Sequence, residues 1–233
     1  QHDIAAICCG FCESDPRIRY KKAEQNGGIS ENTNHCAEMA TGDYLGLLDH
    51  DDVLMPYALM ENAKAILKTQ ADVLYSDEDH LSLQGTHVNP FYKPDWSPDL
   101  LYSQMYICHF LVFRRSLFEE IGGFRKEFDG SQDYDLMLRF SEVTQRICHI
   151  PIVLYSWRES EGSTAANADA KPYAHTAGFH ALNAHLKRKY PGAHAEETEY
   201  TFVFAPRFNL SSKPLVSIII PMKDHWKMSD ACI

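Results

Sequence analysis

A chain of 233 residues, 45% of them apolar and 23% charged, can bury one sizeable core and has an ordinary globular composition. The formal net charge of -10, from 32 acidic and 22 basic residues, argues against a nucleic-acid footprint, which needs a basic face; a nucleotide escorted by a metal ion does not. Of the seven cysteines, Cys9 and Cys12 are spaced like half of a zinc site, but no second pair follows, so buried, reduced thiols are expected. No run is long and apolar enough to span a membrane, and the first residues do not read as a signal peptide. The expected location is the cytoplasm, with peripheral attachment at an inner membrane as a variant.

In chain order, residues 4–12 read as a helix ended by Ser14-Asp15-Pro16, and 17–21 as a short strand. Asn26-Gly27-Gly28 is a turn, after which Ser30 is the expected N-cap of a helix through Ala40, closed by Gly42. Residues 44–48 form an apolar run that reads as a short buried strand. Pro56 opens a helix with Leu59, Ala63, Ile66 and Leu67 on its apolar face. Another strand, over 71–75, ends in Asp77-Glu78-Asp79.

Residues 89–98, with three prolines and the aromatic Phe91, Tyr92 and Trp96, read as an ordered loop. A strand over 106–113, a short helix over 116–121 closed by Gly122-Gly123, and a helix starting at Ser131 follow. Residues 147–155 read as an edge strand, because Pro151 interrupts them. Residues 162–171 are small and polar and read as a mobile loop, 175–190 as a helix and 198–204 as a strand. The most β-prone run, Leu215-Val216-Ser217-Ile218-Ile219-Ile220, comes last, beyond a Ser-Ser-Lys-Pro linker. A strand of that kind is normally central in a parallel sheet.

Chemistry concentrates where the strand over 44–48 runs into Asp49-His50-Asp51-Asp52. Three carboxylates within four residues repel one another unless water or a cation compensates them. In open α/β sheets ligands bind at the carboxyl ends of strands, and a divalent cation carrying a phosphorylated substrate fits such a cluster. Asp52 has the alternative role of capping the next helix, and His50 reads as a neighbour rather than a ligand.

The ordered series NGGIS, TGDYLGLLDHDD, YSDEDH, FYKPDWSPDLL, GGF, GSQDYDLMLR and YSWRESEGSTA resembles the family-2 glycosyltransferases. More narrowly, it is similar to the bacterial tandem-domain proteins that build cell-surface polysaccharides, over residues 15–190. The resemblance implies a GT-A fold: α/β and Rossmann-like, with a mixed, mainly parallel sheet flanked by helices, binding a nucleotide-sugar. The family opens with a strand of the type VSIIIPxYN, then a helix, then a second strand whose acidic end holds the nucleotide base. Here residues 1–14 match only the end of the following helix, while a look-alike of the opening strand, LVSIIIPMKD, stands at 215–224. Residues 1–205 are therefore expected to form one glycosyltransferase domain that lacks its usual first strands. Residues 206–233 are expected to be a linker plus the first strand of a second glycosyltransferase domain of the same parent chain. The alternative is a strand that fills the vacant slot, within one chain or exchanged in a strand-swapped dimer.

By the same resemblance Asp51 is a metal ligand, and Asp49 binds the donor's ribose or shares the metal, which is Mg2+ or Mn2+. Asp133, in the element Gln132-Asp133-Tyr134-Asp135, is the catalytic base that takes the proton of the attacking hydroxyl. Asp135 better fits an acid that simply favours a helix N-terminus. Asn34 is a donor-side candidate, as are Arg158, whose guanidinium suits a diphosphate, and Ser163 in the loop Gly162-Ser163-Thr164. Many relatives carry a His in this segment where the chain has Ser160, which argues against a metal ligand from that loop. Acceptor-side candidates are Gln132, Asp79, Trp96 and His109. For Asp77, Glu78 and Asp79 a solvated turn is as good an account; for Trp96 and Tyr92, core packing is the commoner role; His109 and His149 also read as satisfied core groups.

The expected reaction is inverting, metal-dependent transfer of a sugar from a nucleoside diphosphate to a hydroxyl of a glycan or lipid-linked glycan. The segment around Arg158 would exclude water, which otherwise hydrolyses the donor. Two other classes stay open: a catalytically inert fragment or binding module that serves as a scaffold, and another nucleotide enzyme such as a nucleotidyltransferase. The latter typically uses a Gly-rich, basic phosphate loop, which the chain does not display.

Overall fold

The computed structural model describes residues 3–159 and 172–231. Helix α1 (Ile4–Ser14) is capped by Asp3, whose carboxylate accepts the N–H of Ala5 at 3.0 Å and of Ala6 at 3.4 Å. It buries none of its residues, and Ile4, Ile7 and Phe11 are exposed. Helix α2 (Ile29–Met39) starts after Gly28, not Ser30. The chain enters it at φ 91°, where any residue but glycine is strained, and a Cβ there would meet Asp129 Oδ2 at 2.6 Å. Ser30 lies inside the first turn, buried, its hydroxyl donating to the Arg125 carbonyl at 3.3 Å.

Beyond it come β1 (Tyr44–Gly46), β2 (Val53–Leu54), α3 (Ala58–Thr69), β3 (Val73–Leu81), β4 (His87–Phe91), α4 (Pro98–Leu101), β5 (Leu111–Arg114) and α5 (Arg115–Glu120). Helix α6 (Gln132–Val143), strand β6 (Ile147–Arg158) and helix α7 (Pro172–Lys189) complete the main body. A ribbon of β7 (His194–Glu197) and β8 (Phe204–Arg207) and the short α8 (Trp226–Asp230) follow.

The main sheet has the order β1-β5-β3-β6-β2, with β4 paired to the outer half of β3. It is mixed, as expected, but it is not mainly parallel: β3–β6 is the parallel pair, and β1–β5, β5–β3, β3–β4 and β6–β2 are antiparallel. The cause is β5, which inserts between β1 and β3 and runs against both, and the tight return after Leu81, which makes β4 a hairpin partner. Alternation along β3 divides the core. Val73 and Tyr75 face α6 and α7 with Leu136, Met137, Phe140 and Leu182, while Leu74 faces α3 with Ala58, Ile150 and Leu154. The result is a three-layer α/β/α arrangement.

Several elements differ from expectation. Residues 17–21 are irregular, residues 106–110 form a loop before β5, and the strand expected over 198–204 begins only at Phe204. In α3, Leu59 and Leu67 are exposed and the inward stripe is Ala58, Asn62 and Ile66; Asn62 is tolerated there because its amide donates to the Ala58 carbonyl at 2.9 Å. Strand β3 does not stop at its acidic residues but carries them through the sheet. Strand β6 is internal, between β3 and β2, and Pro151 sits in a bulge, where its missing N–H interrupts no ladder. Among the described residues, 215–220 pair with no strand, and Leu215 is 98% and Ile219 88% exposed. The cysteines described are free; Cys9 on α1 and Cys36 on α2 are exposed, and the others are partly buried. Among the described residues, no helix is long and apolar enough to cross a membrane.

Candidate active site

Between β1 and β2 the chain turns through Asp49-His50-Asp51-Asp52, with the Asp52 N–H on the Asp49 carbonyl at 3.2 Å. Strand β6 holds this turn. The Tyr155 hydroxyl donates to Asp52 Oδ2, and the Arg158 N–H donates to Asp52 Oδ1 at 2.8 Å. Arg158 Nε donates to the Asp51 carbonyl at 2.6 Å, and the Asp49 N–H reaches Tyr155 Oη at 3.4 Å. Burial, reinforced by Asp52, pushes the Tyr155 phenol far above its ordinary value, so it remains a donor at any working pH. Asp52 is therefore no helix cap: it precedes β2, and α3 begins only at Ala58.

The His109 ring stacks on Tyr155 at 4.8 Å between centroids and meets Trp157 edge-on at 5.6 Å. One ligand atom each of Asp49, Asp52 and His109 lies within 4.8 Å of the others. Two carboxylates and an imidazole at a turn between strands are a donor set that suits Mn2+ or Mg2+ completed by phosphate oxygens. The Asp51 carboxylate is half exposed and meets His50 Nδ1 at 3.6 Å.

Across the turn, a cleft of about 130 Å³ is lined by Asp49, Cys108, His109, Gln132 and Asp133. Asp133 stands in the first turn of α6, where its Oδ1 accepts the Tyr134 N–H at 2.9 Å. Its carboxyl is pushed up from the ordinary value, by burial first and by Asp49 as well, against the lowering pull of the Tyr134 N–H and His109. A carboxylate raised in this way is a better proton acceptor than a solvated one. Gln132 reaches the same cleft, although its Oε1 is engaged by the Gly130 N–H at 2.8 Å. Asp135, one turn face away, is fully buried between Arg125 and Arg139, and Arg139 also donates to the carbonyls of Ile121 and Gly123. It is a structural acid.

Other expected site residues fall elsewhere. Asn34 spends both ends of its amide on one residue: Nδ2 donates to the Phe124 carbonyl and Oδ1 accepts the Phe124 N–H, both at 2.9 Å. It pins the turn after α5 and is not turned toward a donor. Asp79 is buried within β3, one oxygen on His87 Nδ1 at 3.0 Å and the other without a hydrogen-bond partner among the described residues. It does not line the cleft, and with Asp77 and Glu78 it forms no solvated turn, because β3 runs straight through the sheet. Trp96 packs against the core beside a separate hollow with Asp95 and His149, away from Asp49 and Asp133. His149 is satisfied between Asp77 and Asp95 and stacks on Tyr75. Ser163 and its loop lie outside the described residues.

Tyr155 and Lys93 are not among the residues expected from the sequence, and His109, expected on the acceptor side, lines the cleft with Asp133 and also lies beside Asp49 and Asp52. A lysine flanked by apolar and aromatic residues, Phe91-Tyr92-Lys93-Pro94, was the available signal for Lys93. Nothing in the local pattern marks Tyr155, whose role depends on the β2–β6 pairing of Leu54 with Tyr155.

The sequence model of the family described as Glycosyl transferase family 2 matches residues 2–122. The chain is 42% identical over 236 residues to the uncharacterized protein y4gI of Sinorhizobium fredii, covering 99% of the chain and 26% of that protein. It is 42% identical over 224 residues to the O-antigen biosynthesis protein RfbC of Myxococcus xanthus, covering 95% of the chain and 17% of that protein. It thus spans about a quarter or less of these relatives' length. Among solved structures, S. aureus TarS 1-349 in complex with UDP-GlcNAc superposes with a TM-score of 0.57 at 16% identity, over 80% of the chain and 61% of TarS 1-349, a likeness of GT-A fold.

Proposed function

The chain belongs to glycosyl transferase family 2, and from that premise we propose that it transfers a sugar from a nucleoside-diphosphate sugar to a hydroxyl of a glycan or lipid-linked glycan, with inversion at the anomeric carbon. The observation that carries this reading is the placement of Asp133, its carboxyl raised, across one cleft from the Asp49–Asp52–His109 group. A divalent cation bound there, Mn2+ or Mg2+, supplies charge neutralisation for the departing diphosphate. Asp49 holds it, with Asp51 as the second carboxylate by the family motif. Asp52, whose two oxygens already accept hydrogen bonds from Tyr155 and Arg158, orients the turn. His109 is within reach of the same position.

Asp133 takes the proton from the attacking hydroxyl, and a single base facing the anomeric carbon opposite the leaving group inverts its configuration. Arg158, exposed beside Asp51, offers its guanidinium to the diphosphate. Ser163 is proposed on the same donor side and Gln132 on the acceptor side. The kinship with an O-antigen biosynthesis protein favours a surface polysaccharide as the product, and the UDP-GlcNAc complex of TarS makes uridine diphosphate sugars the first donors to try. We read residues 206–233 as the lead into a second domain of a longer chain, with a strand-swapped dimer as the alternative, and the protein as cytoplasmic or peripheral at a membrane.

The test is transfer and hydrolysis of a panel of nucleoside-diphosphate sugars with and without Mn2+, the product anomer read by NMR. The expected result is a metal-dependent product of inverted configuration, lost in Asp133→Asn. A retained configuration overturns the mechanism. If no donor is consumed and no nucleoside diphosphate raises the melting temperature in the presence of Mn2+, the reading falls altogether.

A further inference from the structure

His109 lies in a stretch of chain that has no ladder to hold it. Strand β5 begins only at Leu111, and Cys108 just before it has φ 45°, in the left-handed region. The backbone groups of residues 107–109 must therefore find partners outside the sheet. Two buried side chains supply them. Lys93 Nζ donates to the carbonyl oxygens of Ile107 and His109, on both sides of Cys108, and to Glu78 Oε2 at 3.0 Å. The same Glu78 oxygen accepts the His109 N–H at 2.8 Å. The Lys93 side chain is 0% exposed and that of Glu78 5%.

A buried ion pair of this kind contributes little net stability over apolar residues of similar size, because desolvation opposes the attraction. What it supplies is direction, since it engages three backbone groups of one turn. Lys93 is itself fixed at its backbone N–H, which donates to Asp77 Oδ1 at 2.9 Å, so the clamp is anchored on β3 through two successive acids. On the far side of the turn the His109 ring lies flat against Tyr155, and its ligand nitrogen faces Asp49 and Asp52.

We propose that Lys93 and Glu78 are positioning residues for the cation site: by gripping the backbone on either side of Cys108 they hold the His109 imidazole against the Asp49–Asp52 pair. Neither touches the cation or the substrate. The proposal rests on the reading of the acidic turn, with Asp49 as ligand and His109 within reach, as a divalent-cation site, and it extends that site into β3 and the segment after β4. Removing outer partners of metal ligands typically costs about tenfold to a hundredfold in affinity.

The experiment is titration of the intact chain with Mn2+ alone, free ion being counted by electron paramagnetic resonance. Wild type is compared with Lys93→Met, Lys93→Arg, Glu78→Gln, His109→Ala and the Lys93→Met/His109→Ala double variant. Lys93→Met is expected to lose about tenfold or more in Mn2+ affinity, and to lose nothing further once His109 is gone, because both changes act on one ligand. Lys93→Arg, which keeps the charge and donors, recovers part of the loss. A merely structural lysine would lower the melting temperature and leave Mn2+ affinity unchanged, or would weaken it equally with and without His109; either result overturns the proposal. Should Lys93→Met fail to fold, Glu78→Gln carries the same expectation and the same refutation. Wild-type protein that binds no Mn2+ overturns the cation-site reading itself, and is thereby distinguished from Mn2+ binding that ignores Lys93, which sinks the clamp alone.

Discussion

The Tyr155 hydroxyl donates to the Asp52 carboxylate across the β2–β6 pair and receives the Asp49 N–H on its other side. One phenol thus joins both ends of the acidic turn. Tyr155→Phe keeps the ring that stacks on His109 and removes only this link. A hydrogen bond to a charged group is worth about 1.5–3 kcal/mol, so a loss of about that size is expected in urea unfolding, together with weaker Mn2+ binding. Unchanged Mn2+ affinity would show that the turn keeps its shape without Tyr155.

Asp133→Asn separates chemistry from binding. Loss of a general base lowers kcat by about 10²–10⁴-fold, while Mn2+ and donor affinity should stay within about twofold. In the wild type the acid limb of the kcat profile should fall at a pH above the ordinary aspartate value of 3.8, because the Asp133 carboxyl is raised. The stability effect has the opposite sense. A carboxyl raised on folding disfavours the folded state when ionised, so Asp133→Asn should match or exceed wild-type stability at neutral pH. That difference should vanish below 3.8, where the group is protonated in both states.

Asn34→Ala distinguishes a structural from a donor-binding asparagine. Two hydrogen bonds to the Phe124 backbone disappear, and their loss should cost about 1–3 kcal/mol of stability. The donor KM of the folded fraction should not change; a large rise in KM would return Asn34 to the donor site.

Asp72 contributes to the acid sensitivity of this fold. Burial raises its carboxyl, but hydrogen bonds from Arg146, Thr144 and Arg114 outweigh that and leave it lowered. Its contribution is therefore complete above 3.8 and is lost as pH falls through the lower value it has in the folded chain. Asp72→Asn should destabilise at neutral pH, since it weakens the hydrogen bonds from Thr144, Arg114 and Arg146, and the gap to wild type should close in strong acid. A gap that is constant with pH would mean that packing, not charge, is lost.

Cys108 lines the cleft, yet its thiol is pushed up to about 12 by burial first and then by Glu78. It should resist iodoacetamide at mildly alkaline pH while the exposed Cys9 and Cys36 are modified, as read by peptide mass mapping. Rapid labelling of Cys108 would show that the turn before His109 opens in solution.

Much of this was legible beforehand. The acidic cluster after β1 and the helix start that carries Asp133 follow from apolar runs and local charge, whereas the α/β class comes with the family resemblance. What was illegible depended on contacts far apart in sequence. Asp77, Glu78 and Asp79 look like a solvated turn locally, and Lys93, His149, His87 and the His109 N–H, brought in from other elements, make their burial tolerable. Asn34 and Asp135 carry residue types suited to a binding site but are consumed by the backbone of Phe124 and by two arginines. Pro151 suggested an edge because a proline's missing donor is usually placed there, and a bulge serves as well.

That bulge has a consequence for how the protein tolerates insertion and deletion. At its start β6 places His149 opposite Tyr75 and Ile150 opposite Ser76; beyond the bulge Tyr155 faces Glu78. Continued without slippage, the first alignment would set Ile152 opposite Glu78 and push Tyr155 out to Leu81. The three extra β6 residues are what keep Tyr155 at Glu78; a ladder of unchanged length that ran on without the bulge would carry Tyr155 and Arg158 past Asp52. A β6 of unchanged length with its bulge smoothed out can therefore be well folded and still have no acidic turn in working order.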